Sequence, residues 1–186
     1  MFIQTENTPN PLTVKFLPGR AVMEVGVAEF KTIDQAAASP LAQQLFQLGE
    51  ITNVFFGSDF ISVSKDEKAK WDALKTRIMA VIMEHYTIGQ PLFHEGQAPE
   101  DKHGAQDDDD ELTVQIKELL DQRVRPMVAM DGGDIVFEKF EKGIVYLQMR
   151  GACAGCPSST MTLKSGIENM LRHYVPEVLE VRQSSL

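Results

Sequence analysis

The chain has 186 residues, 43% of them apolar, enough for one domain or for two small ones with real cores. No apolar run approaches the roughly 18 residues of a spanning helix, and Met1-Phe2-Ile3-Gln4 carries neither a basic nor an apolar leader region, which argues against membrane insertion and secretion. The net charge of −9 is local: residues 95–111 hold −7, the rest of the chain only −2, and no basic patch for nucleic acid stands out.

Phe2 to Thr5 and Thr13 to Leu17 alternate like strands around the turn-rich Thr8-Pro9-Asn10-Pro11, which predicts a first hairpin. Ser39-Pro40 followed by Leu41, Leu45 and Phe46 predicts a short helix. Val54-Phe55-Phe56 and Phe60-Ile61-Ser62-Val63 flank Gly57-Ser58-Asp59 as a second hairpin. Trp71, Leu74, Ile78, Val81 and Ile82 then recur at helical spacing up to Gly89. Residues 1–94 thus read as an α+β domain without cysteine, in which His85 and His94 are packing or surface residues rather than ligands.

Glu95 to Glu111 contains no large apolar side chain and cannot bury enough surface to fold, so residues 95–111 read as a flexible acidic linker. Asp107 to Asp110 read as a solvated spacer within it.

Beyond the linker, Ile116, Leu119, Leu120, Val124 and Met127 form one helical stripe, ended by Asp131-Gly132-Gly133-Asp134. Ile135 to Phe140 and Ile144 to Met149 read as a hairpin about Glu141-Lys142-Gly143. Leu163, Ile167, Met170, Leu171 and Tyr174 mark an amphipathic helix, and Val178 to Val181 a last strand. Residues 112–186 are therefore helix-strand-strand-helix-strand, and the whole chain is two small α+β domains. The apolar stripes are core by default, and Met149, Met161 and Met170 need no cofactor reading.

Cys153 and Cys156 are the only two cysteines, in Gly151-Ala152-Cys153-Ala154-Gly155-Cys156-Pro157-Ser158-Ser159, at the predicted strand-to-helix junction. With no leader region, a reducing compartment and thiols rather than a structural disulfide are expected. The C-x-x-C spacing lets the two sulfurs converge, to chelate a metal, to hold part of an iron–sulfur cluster, or to cycle as a dithiol. Gly151 and Gly155 let the backbone turn tightly, and Pro157-Ser158-Ser159 looks like a helix start whose N–H groups favour nearby thiolates. Arg150 could add charge beside the pair, though a solvated side chain is the favoured reading.

Ligand counting narrows the choice. Tetrahedral zinc and a cubane cluster usually take about four thiolates or histidines, whereas one chain offers two, and His173 lies seventeen residues beyond Cys156, too far along a helix to help. A metal centre therefore calls for two chains, and a two-fold homodimer is the commonest way to bring two such loops together. A thiol–disulfide oxidoreductase is the main rival. Only 30 residues follow Cys156, however, and no βαβ unit is expected around the motif.

Taken together, Arg125-Pro126, Asp131-Gly132-Gly133-Asp134, Gly151 to Ser159 and Thr162-Leu163-Lys164-Ser165-Gly166-Ile167-Glu168 resemble the C-terminal domain of NifU and the Nfu iron–sulfur cluster scaffold proteins. Thr8-Pro9-Asn10-Pro11, Lys15-Phe16-Leu17-Pro18-Gly19 and Val54 to Ile61 resemble the Nfu N-terminal domain. The resemblance implies a non-enzymatic scaffold and carrier that holds a [4Fe-4S] cluster between two subunits and hands it to apo-proteins. Cys153 and Cys156 match the family's cluster ligands; [2Fe-2S] and zinc are the alternatives. Implied partners are a second copy of the chain, apo iron–sulfur acceptors and the upstream cluster assembly machinery, with no nucleic acid and no membrane. The compartment would be the bacterial cytoplasm, or the mitochondrial matrix for a processed eukaryotic form.

Overall fold

The structure, a computed structural model, describes residues 2–99, 109–155 and 157–184, with backbone alone at residues 157–159. In the N-terminal half, β1 (Gln4–Asn7) and β2 (Thr13–Leu17) form the expected antiparallel hairpin, with β1 beginning two residues later than its pattern suggests. Side chains close the turn: the Asn10 N–H donates to Thr8 Oγ1 and the Leu12 N–H to Asn10 Oδ1, at 3.2 and 3.0 Å. A short strand, β3 (Ala28–Phe30), is an addition to the expected elements. α1 (Pro40–Phe46) starts with Ser39 as its cap, whose Oγ accepts the Ala42 N–H at 3.3 Å, and with Pro40 in its first turn.

β4 (Ile51–Phe56) and β5 (Ile61–Lys65) form the second hairpin, and α2 (Trp71–Ile88) ends on Gly89 at φ 73°. That left-handed residue lets the chain leave the helix. All the strand pairs are antiparallel, in the order β1-β2-β5-β4-β3. One face of this sheet carries Val14, Phe16, Val54, Phe56, Ile61 and Val63 into a core with Leu41, Leu45, Leu74, Ile78 and Ile82 of the two helices.

The second half begins with α3 (Glu111–Leu119), and here the acidic run proves structural at its end. Asp110 Oδ1 accepts the Thr113 N–H at 2.7 Å as the helix cap, and Asp109 pairs with the buried Lys117 at 2.6 Å. The reading of these two aspartates as solvated spacer is thereby corrected; Asp107 and Asp108 lie outside the described residues. A π-helical stretch, Leu120–Val124, leads into α4 (Arg125–Met130). Buried Ile116, Leu120, Val124 and Val128 are spaced by four, and at 3.6 residues per turn Val128 would lie about 120° round from Ile116. Wider π turns keep the four on one face. Met127, expected on that stripe, is instead 51% exposed.

β6 (Gly133–Glu141) and β7 (Ile144–Gly151) pair across a two-residue turn, Lys142-Gly143, in which both φ values are positive, 52° and 79°. α5 (Pro157–Tyr174) then crosses to β8 (Glu180–Gln183), which pairs parallel to β7. The element order matches expectation, but the parallel pairing makes β7–α5–β8 a βαβ unit around the cysteine loop. The expected absence of such a unit was wrong: a helix running back along the sheet returns the chain in the original direction. Ile135, Val145, Leu147, Met149, Ile167, Leu171 and Val181 join the α3–α4 stripe in a separate core. Met161, outside the expected stripe, is 73% exposed. No helix among the described residues is long and apolar enough to cross a membrane.

Candidate functional site

Antiparallel pairing sets Gly133, at the start of β6, opposite Gly151, at the end of β7. From there the chain turns sharply. Gly151 has φ 64°, its carbonyl accepts the Ala154 N–H at 3.1 Å, and the Ala152 N–H donates to Gly132 O at 3.1 Å. Cys153 sits in this turn, 7% exposed, against the core of its own half. The Thr160 hydroxyl of α5 donates to the Cys153 carbonyl at 3.3 Å. Gly133 is required by contact alone, for a methyl group there would stand 2.6 Å from Cys153 Sγ and 2.7 Å from Arg150 O. Cys156, the second expected ligand, lies outside the described residues, and α5 begins at the very next residue. The helix start expected after the cysteines is therefore present.

Behind the turn, Arg125 grips Asp134, which is only 3% exposed: Nε donates to Oδ1 at 3.0 Å and Nη2 to Oδ2 at 3.4 Å. A second carboxylate, Asp121 of the π stretch, takes Nη1 at 3.2 Å. Partial burial works against the Arg125 charge, but Asp134 and then Asp121 outweigh it and hold its pKa above the usual guanidinium range. This lock fastens α4 to the first residues of β6 and so fixes the backing of the thiol. Arg150 turns to its own strand, donating twice to Gln148 Oε1 at 3.1 and 2.9 Å.

The N-terminal half reaches the same place. Cross-strand register aligns Lys15, Ser62, Phe55 and Glu29 in one row over β2, β5, β4 and β3, on the sheet face away from α1 and α2. Each meets the cysteine end of the other half. Lys15 Nζ donates to Met130 O at 3.4 Å and Ser62 Oγ to Gly132 O at 2.6 Å. The Gly151 N–H donates to Glu29 Oε1 at 2.9 Å, and a methyl group at Gly151 would come within 3.1 Å of the Phe55 ring. Asn10, from the first turn, donates to Ala152 O at 3.4 Å. Phe55 and Phe60, 0% and 2% exposed, belong to neither core and are covered by this contact. Sequence reasoning did not identify these residues as neighbours of the thiol. The available signal was the unbroken apolar run Val54-Phe55-Phe56, which marks a strand buried on both faces.

Of the two histidines expected as packing or surface residues, His85 packs and His94 lies at the surface. His85 is fully buried against Tyr86, with the Gln90 side chain beside it. Burial lowers its pKa, opposed in part by the Gln90 side chain. His94 and His173 are exposed.

Residues 3–89 match the family described as "Scaffold protein Nfu/NifU N terminal", and residues 116–182 match the "NifU-like domain". "NifU-like protein 4, mitochondrial" of Arabidopsis thaliana is 53% identical over 98% of this chain and 66% of its own length. "NFU1 iron-sulfur cluster scaffold homolog, mitochondrial" of Homo sapiens is 50% identical over 98% of this chain and 72% of its own. The chain thus spans about two thirds of the length of such relatives. The solution NMR structure of a NifU-like protein from Saccharomyces cerevisiae superposes with a TM-score of 0.46 at 25% identity, covering 51% of this chain and 86% of that one.

Proposed function

Because the chain belongs to the Nfu/NifU scaffold family, we propose that it carries an iron–sulfur cluster as cargo and transfers it to apo-proteins. In this reading a [4Fe-4S] cluster is held between two copies, each contributing Cys153 and Cys156. The observation that carries it is the set of two thiols in one chain, set where a glycine-flanked turn runs into α5, within the residues that match the NifU-like domain. Four thiolates are the usual complement of such a cluster, so two chains supply the set with nothing left over.

What the chain's own residues do follows from the turn. Gly133 leaves room for the Cys153 sulfur, the Arg125–Asp134 lock holds β6 behind it, and α5 begins in the sequence right after the motif, where helix N–H dipoles favour thiolates. Release is ligand exchange: thiolates of an acceptor displace those of the two carriers one at a time. No bond of a small substrate is broken, so the role is that of a carrier rather than an enzyme. Acceptors would be apo iron–sulfur proteins, and the cluster would come from upstream assembly machinery. The names of the compared relatives support a mitochondrial setting for this role over a bacterial cytoplasmic one.

The βαβ unit around the loop keeps a dithiol oxidoreductase as the second reading, since a redox dithiol also sits at a helix start beside a parallel strand. Two assays on one preparation separate them. Cluster-loaded protein is expected to activate an apo-acceptor, and the metal-stripped form to reduce disulfides no faster than a simple dithiol. Efficient disulfide reduction without any acceptor activation would reverse the assignment.

A further inference from the structure

The row Lys15–Ser62–Phe55–Glu29 is addressed to backbone groups on both shoulders of the thiol turn: Met130 and Gly132 before β6, Gly151 at the end of β7. Asn10 adds Ala152. A shared metal centre requires Cys153 to be approached by cluster atoms and by a second chain, yet it is 7% exposed and its neighbours Gly151 and Ala152 are buried as well. For the thiol to come outward its turn must shift, and every one of these hydrogen bonds opposes that shift. The fit is close on both sides. A methyl group at Gly132 would lie 2.8 Å from Ser62 Oγ and 3.1 Å from Thr8 Cγ2. Glu29, whose side chain is 6% exposed, is itself held by Asn53 Nδ2 at 2.9 Å and by Lys31 at 3.5 Å. It also places a carboxylate beside a loop that must become anionic to bind metal.

We propose that the outer face of the N-terminal sheet is a reversible cap on the cysteine turn, closed in the metal-free single chain and withdrawn when two chains share a cluster. This deepens the carrier reading and rests on it for the role of the open state. The contact is suited to opening. Apart from Phe55 and Phe60, which it covers, it is made of hydrogen bonds to main-chain groups that water can replace, and the two apolar cores are separate.

The test uses the full chain in a Cys156→Ser background, which leaves Cys153 as the sole thiol. Ser62→Arg places bulk where Gly132 leaves no room, and Glu29→Lys sets a cation against the Gly151 N–H; both side chains point away from their own core. Alkylation of Cys153 by iodoacetamide under native conditions should accelerate at least tenfold in each variant, while amide exchange at Val145 and Leu147 in β7 stays at the parent rate. With both cysteines restored, the same two substitutions should speed cluster loading. Unchanged alkylation, faster exchange at Val145 and Leu147 that betrays general unfolding, or slower loading than the parent would each overturn the cap. Faster alkylation with no cluster on any form, parent included, would leave the cap standing and remove the carrier reading instead.

Discussion

Gly133 is the residue on which the thiol turn depends most directly. Its backbone is not in a left-handed conformation; what excludes a side chain is Cys153 Sγ, 2.6 Å from where a methyl group would sit. Gly133→Ala should cost about 2 kcal/mol by overpacking and displace the sulfur, so iron retained after gel filtration should fall well below the parent while circular dichroism is preserved. Full retention would show that the thiol does not need this backing. His85 allows a second prediction. Burial holds its folded-state pKa below the unfolded value of 6.5, so the unfolded chain binds the proton more readily. Stability is then full above that value and declines as pH falls through it. Urea midpoints should drop between pH 7.5 and 5.5 more for the parent than for His85→Leu, and equal drops would contradict the assignment.

At the scale of elements, the junction between α4 and β6 depends on an ion pair that the spacing of Arg125 and Asp134 did not announce. Arg125→Ala leaves the buried Asp134 carboxylate without its main cation and should cost roughly 2–3 kcal/mol, less than the full penalty because the guanidinium is partly exposed. A thermal midpoint within a degree of the parent would show that the lock contributes little. Hairpins, the two long helices and the cysteine turn were legible because alternation, helical spacing and glycine-rich turns are local signals. β3 was not, since three residues cannot display a period. The π stretch escaped because a stripe that includes Leu119 and Met127 fits a regular helix as well as the true spacing by four does. Parallel pairing of β8 with β7, and the landing of Ser62 and Glu29 on the cysteine turn, are tertiary facts between residues far apart in sequence. Of the candidate site, Cys153 and its glycines could be read in advance; its covering by the other half could not.

For the molecule as a whole, two separate apolar cores predict that each half folds by itself. Residues 95–111 offer no large apolar side chain, so a protease specific for acidic residues should cut there first and yield two folded fragments. Protection of that segment, or unfolding of either fragment, would contradict the division at residues 94 and 112. Sharing of one cluster by two chains can be read from iron and sulfide content together with native mass after anaerobic reconstitution. A brown dimer with about two iron and two sulfide per chain is expected, lost in Cys153→Ser and in Cys156→Ser. A stoichiometric cluster on a single chain, or one that survives replacement of both cysteines, would contradict it.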